Sequence, residues 1–150
     1  MIFKIVRERE ILFADRDSDI RRLVANMLRD EGYRVETTDS TVHALSAILG
    51  KEIPAVLLGG SDFDKKINLP DLVHLLRKCN RNLTIILFSN GVSLPLIRTI
   101  RQAVIFYHAL KPADPDDTAE IRLAVECAFA KIEKFPLDDG RVIIPRYTRF

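Results

Sequence analysis

The run Ile53-Pro54-Ala55-Val56-Leu57-Leu58 is apolar without interruption and closes in Gly59-Gly60-Ser61-Asp62. A short stretch that is apolar at every position has both faces covered, which is the situation of a central strand in a parallel sheet flanked by helices. Ile11–Ala14 repeats the pattern, and Leu83–Phe88 and Val104–Leu110 are strands of the same kind interrupted at Thr84 and at His108, whereas Tyr33–Thr37 alternates apolar and polar residues and suits a strand near the sheet edge. Between these runs the period changes to that of helices. Ile20, Leu23, Val24, Met27 and Leu28 share one helical face, with Asp17 or Ser18 as N-cap and Gly32 beyond the end. A second helix, capped by Ser40 or Thr41 and running to Gly50, is expected to turn Val42, Leu45, Ile48 and Leu49 inward. The loop Ser61–Asn68 leads to Pro70, which starts a third helix over Asp71–Cys79. Ser93 caps a fourth, with Pro95 in its first turn and Leu96, Ile97 and Ile100 inside. The last helix begins in a crowd of acids (Asp114, Asp116, Asp117, Glu120), carries the stripe Ile121, Ala124, Val125, Ala128, Phe129, Ile132, and stops at Pro136. Five strands alternating with five helices predict an α/β fold, a doubly wound five-stranded parallel sheet built from βαβ units.

At 150 residues and 47% hydrophobic, the chain holds one such domain with a sizeable core. Residues 1–10 form an N-terminal extension, 11–135 the domain and 136–150 a C-terminal tail or arm, in which Asp138-Asp139-Gly140-Arg141 is a turn signal before Val142-Ile143-Ile144. Lys and Arg total 23 against 21 Asp and Glu, too balanced for a nucleic-acid footprint over the whole surface. That leaves only Arg141, Arg146 and Arg149 with Tyr147 and Phe150 to argue for such a partner. Cys79 and Cys127 lack metal or redox spacing and are expected as buried, reduced packing residues. His43, His74 and His108 have no ligand spacing, so neither metal nor cofactor is expected. The charges at Lys4, Arg7, Glu8, Arg9 and Glu10 exclude a signal-peptide core, and no run has membrane length, so a cytoplasmic protein is expected.

Open α/β sheets keep their chemistry outside the carboxyl ends of the strands. Those ends present Asp15, Arg16 and Asp17, then Gly60, then Ser89, then Lys111-Pro112. Together with Ile11-Leu12-Phe13-Ala14-Asp15 followed by Ile20-Arg21-Arg22-Leu23, the set resembles the response-regulator receiver domain, the flavodoxin-like fold typified by CheY. The resemblance covers roughly Ile11 to Phe135 and implies strand order 2-1-3-4-5.

In that family two acids after the first strand hold Mg²⁺, and an aspartate after the third accepts a phosphoryl group. A Ser or Thr after the fourth strand senses it, and a lysine after the fifth pairs with it. Asp15 matches the first acid, Ser89 the hydroxyl residue, Lys111 the lysine and Pro112 a proline that follows it. Arg16 stands in place of the second acid, and counting from Pro54 puts Gly60 in place of the phosphoacceptor. His108, or Tyr107 if the last strand shifts by one residue, takes the place of the family's aromatic switch residue. Glycine supplies no carboxylate nucleophile, and Mg²⁺ does not trade oxygen ligands for a guanidinium.

The resemblance therefore implies a degenerate pseudo-receiver: a non-enzymatic signalling module acting by phosphorylation-independent protein–protein contact. In receivers the face of the fourth helix, fifth strand and fifth helix carries dimerisation and signalling; here it would present Arg98, Arg101, Tyr107, Arg122 and Glu126 to a protein partner or a second copy. The alternatives are a working phospho-receiver of a two-component phosphorelay, using Asp62 or Asp64, and a flavodoxin-like binder of a nucleotide or flavin. The last lacks any Gly-x-Gly-x-x-Gly after a strand.

Overall fold

The computed structural model describes residues 9–51, 53–59, 67, 69–89, 105–110, 112 and 118–134. Five strands, β1 (Glu10–Ala14), β2 (Arg34–Thr38), β3 (Ala55–Gly59), β4 (Thr84–Ser89) and β5 (Tyr107–Leu110), form one parallel sheet in the order β2-β1-β3-β4-β5. This is the expected doubly wound arrangement of a flavodoxin-like, CheY-like fold. Helices α1 (Ser18–Asp30), α2 (Thr41–Gly50) and α3 (Leu69–Cys79) and a final helix (Ala119–Lys134) accompany it. The fourth expected helix, from Ser93, and the 136–150 tail lie outside the described residues, and none of the described helices is long and apolar enough to cross a membrane.

Neighbouring residues of each central strand point to opposite faces, and this sorts the interior into two layers. Phe13, Leu57 and Ile86 pack with Val24 and Leu28 of α1 and with Val125 and Phe129 of the final helix. Leu12, Val56, Leu58 and Ile85 pack on the other side with Ala44 and Ile48 of α2 and Leu72 and Leu76 of α3. All of these are buried, and each large side chain removed from water contributes about 1.5–3 kcal/mol. A continuous apolar strand sequence is thus explained by helices on both faces.

Asp17 caps α1, accepting from Asp19 N at 2.9 Å and Ile20 N at 3.1 Å, and Gly32 follows with φ 95°, a left-handed conformation that glycine adopts without strain. Ser40 caps α2. The inner face of α2 differs from the expected one: Thr41, Ala44, Ala47 and Ile48 are buried, while Val42 and Leu49 are 74% and 68% exposed. The small alanines let the helix lie close to the sheet, so of the expected inner residues Ile48 and, in part, Leu45 face the core, while Val42 and Leu49 face out. Cys127 is also exposed, contrary to expectation, because it lies off the final helix's apolar stripe; Cys79 is half-buried, and both cysteines are free.

Candidate functional site

The β1–β3 register pairs Ala14 with Leu58, so the next residues, Asp15 and Gly59, meet at the carboxyl edge of the sheet. Asp15 is 1% exposed. Its backbone N–H donates to Thr38 O at 3.0 Å, extending the ladder to β2 by one step, and its Oδ1 accepts from Asp17 N at 2.9 Å. Arg21, one turn into α1, donates to the Asp15 carbonyl. These bonds fix both the backbone and the carboxylate direction.

That direction is toward β3. A Cβ placed on Gly59 would stand 2.0 Å from Asp15 Oδ2, 2.3 Å from Cγ and 2.8 Å from Cβ. The Asp15 carboxylate therefore fills the volume in which any side chain at position 59 would begin. Sequence counting from Pro54 selected Gly60, which lies outside the described residues, as do Asp62, Asp64 and Lys111. The glycine brought against the acid is Gly59, a residue the counting passed over; aligning the apolar runs Ile11–Ala14 and Ala55–Leu58 end to end would have found it.

At the end of β4, Ser89 is 4% exposed and its Oγ lies 2.9 Å from His108 Nε2 on β5. The two side chains singled out as hydroxyl residue and switch residue are thus joined directly. Burial pushes the His108 imidazole below its ordinary pKa, because it penalises the charged form, and the Glu120 carboxylate opposes this in part. Pro112 is buried beyond β5, whereas Arg16 and Asp17 are exposed at the start of α1. Among the described residues no group of three or more His, Cys, Asp or Glu side chains is placed to hold a metal ion.

The interface candidates separate. Tyr107 is 40% exposed and donates from its hydroxyl to Glu120 Oε2 at 3.0 Å, a bond that raises the phenol's pKa. Leu123 and Cys127 follow Glu120 at intervals of three and four on the final helix, so they continue this stripe, and both are exposed. Arg122 turns elsewhere, to Glu31 after α1 at 3.7 Å, and Glu126 lies near Tyr33, whose phenol pKa is raised by burial first and by the Glu126 charge in addition. Neither belongs with Tyr107. Arg98 and Arg101 lie outside the described residues.

Solved structures similar to this one include receiver domains. The signal receiver domain of an HD domain-containing protein from Pseudomonas fluorescens Pf-5 superposes with a TM-score of 0.74 at 23% identity, over 85% of this chain and 98% of that one. A CheY-like receiver domain protein from Methanospirillum hungatei JF-1 gives 0.70 at 21% identity, over 83% and 99%. The beryllofluoride-activated NtrC4 receiver domain dimer gives 0.72 at 15% identity, over 82% and 98%. At these identities the likeness establishes the fold. No family model and no curated protein matches the sequence.

Proposed function

We propose that this chain is a receiver-like signalling module that acts by protein contact and carries out no phosphoryl transfer. The observation that carries the reading is the Asp15 carboxylate lying where a side chain at residue 59 would start. An acyl phosphate needs a carboxylate nucleophile at that strand end, and there the chain has glycine. The Mg²⁺ that receivers use does not fit these residues: Gly59 offers no side-chain oxygen, and Arg16 puts a permanent cation beside Asp15. No step is therefore routed through a metal.

What remains of a receiver is the sheet, the Ser89–His108 contact and the exposed stripe of Tyr107, Leu123 and Cys127 beside Glu120. An aromatic and a leucine beside charged groups make a suitable anchor for a protein partner. Without a phosphorylation switch this face keeps one conformation, because a ligand without differential affinity for two states shifts nothing. Capture of partners from the native cell with Tyr107→Ala/Leu123→Arg tests this. Binding should be lost in the double variant and be equal with and without a small-molecule phosphodonor in the wild type; binding that appears only with the phosphodonor would overturn the reading.

A further inference from the structure

β2 is an edge of the sheet. Arg34 N donates to Arg9 O at 2.9 Å and Thr38 O accepts from Asp15 N at 3.0 Å, so Arg34, Glu36 and Thr38 turn their backbone groups toward β1. By alternation, Val35 and Thr37 turn theirs outward. Among the described residues the Val35 carbonyl is met only by Arg29 Nη2, at 2.7 Å, and no described backbone group pairs with the Val35 N–H or with Thr37. A groove of about 510 Å³ runs along this edge, lined by Glu10, Arg29, Arg34, Val35, Glu36, Thr37 and Lys51. An open edge with outward donors and acceptors is a template for another strand.

The charges on the strand select which one. We propose that the β2 edge pairs antiparallel with β2 of a second copy of this chain, centred on Val35 against Val35, to give a two-fold symmetric dimer with one continuous sheet. In that register the two Val35 residues exchange both N–H···O=C bonds, the hydrogen-bonded pair of an antiparallel ladder. Arg34 then lies directly opposite the partner's Glu36, and Glu36 opposite the partner's Arg34, on the sheet face that carries α2. A two-fold axis requires a patch complementary to itself, and Arg-Val-Glu about a central valine is such a patch. Shifting the centre by one residue, to Glu36, would set Glu36 against its own copy, and like charges directly opposite are unfavourable. Glu36 is already held on this face, its Oε1 by Lys51 at 2.6 Å and its Oε2 facing His43 Nε2 at 2.9 Å, so the carboxylate is ordered before pairing. The Arg29 guanidinium occupies the Val35 carbonyl in the single chain and is exchanged for the partner's Val35 N–H. This contact is on the opposite edge from β5, so it leaves the Tyr107 stripe free for another protein.

Sedimentation equilibrium of the full chain over a concentration series tests the proposal, using Arg34→Glu and Glu36→Arg separately and mixed. Wild type should form dimers. Each single variant sets like charges opposite each other at two places and should weaken dimerisation by about tenfold or more. An equimolar mixture should recover it, because the new Glu at 34 of one variant then faces the new Arg at 36 of the other, while the native Glu36 of the first faces the native Arg34 of the second. Arg29→Ala, which frees the Val35 carbonyl, should tighten the wild-type dimer. Far-ultraviolet circular dichroism of each variant alone shows whether it folds, and the mixture uses the same two proteins, so recovery reports only on the interface. A wild type that stays monomeric throughout, a dimer indifferent to both reversals, or two folded variants that fail to complement would each overturn the proposal.

Discussion

Gly59 and Asp15 share one volume, and this contact makes the strand-end site what it is. Because a Cβ at residue 59 meets Asp15 atoms at 2.0–2.8 Å, Gly59→Ala forces the buried carboxylate away from its bond with Asp17 N. The expected cost is about 1–3 kcal/mol, as for overpacking elsewhere, measured by urea denaturation. In an Asp15→Ala background the same substitution should cost markedly less, since neighbouring sites are not additive. Ser89 and His108 supply a second test at this scale. His108 ionises below its ordinary value of 6.5 in the fold, so the unfolded chain binds more protons over that range. Stability is then fully present above about 6.5 and falls as the pH drops through that value toward the lower, folded one. Thermal melts from pH 7.5 to 5 should show this fall in the wild type and less of it in His108→Gln. The polar residue types and the glycine pair at the strand ends were legible in sequence, but their contacts were not: Gly60, selected by counting from Pro54, lies outside the described residues, and the contact of Gly59 with Asp15 depends on which apolar residues of β1 and β3 pair.

Among the elements, α1 and the final helix were readable because their apolar stripes stand against charged residues, so the period names one face. Helix α2 was readable as a helix and unreadable as a face. Val42, Ala44, Leu45, Ala47, Ile48 and Leu49 leave hardly any polar side to oppose, and the expected face was turned about one residue, roughly 100°, from the observed one. The difference is measurable. Ile48→Ala should cost about 2–5 kcal/mol, while Leu49→Ser should stay within about 0.5 kcal/mol, in parallel denaturant titrations; equal costs would mean that α2 sits in the expected orientation. Strand β5 covers Tyr107–Leu110 of the expected Val104–Leu110; ahead of it the Phe106 N–H already donates to Ile85 O at 2.8 Å and Ile105 and Phe106 pack against the two core layers, while Val104 lies outside the described residues.

For the whole molecule, the parallel sheet with helices on both faces came from strand and helix alternation and its order from the resemblance to receivers, and solved receiver domains of 15–23% identity have this fold. The ends of the domain are tied where β1 begins and the final helix closes, by Arg9 and Glu133 with bonds of 2.8 and 2.9 Å. Both side chains are about half exposed, so the pair contributes at most about 1 kcal/mol. The receiver architecture is therefore kept by burial, independently of the groups that would perform phosphoryl transfer. The proposed function is that of a receiver fold kept without the reaction. The most direct test is the intact mass of the full chain after incubation with a small-molecule phosphodonor and Mg²⁺. An unchanged mass is expected; the gain of a phosphoryl group on any carboxylate, Asp62 and Asp64 included, would contradict the proposed function.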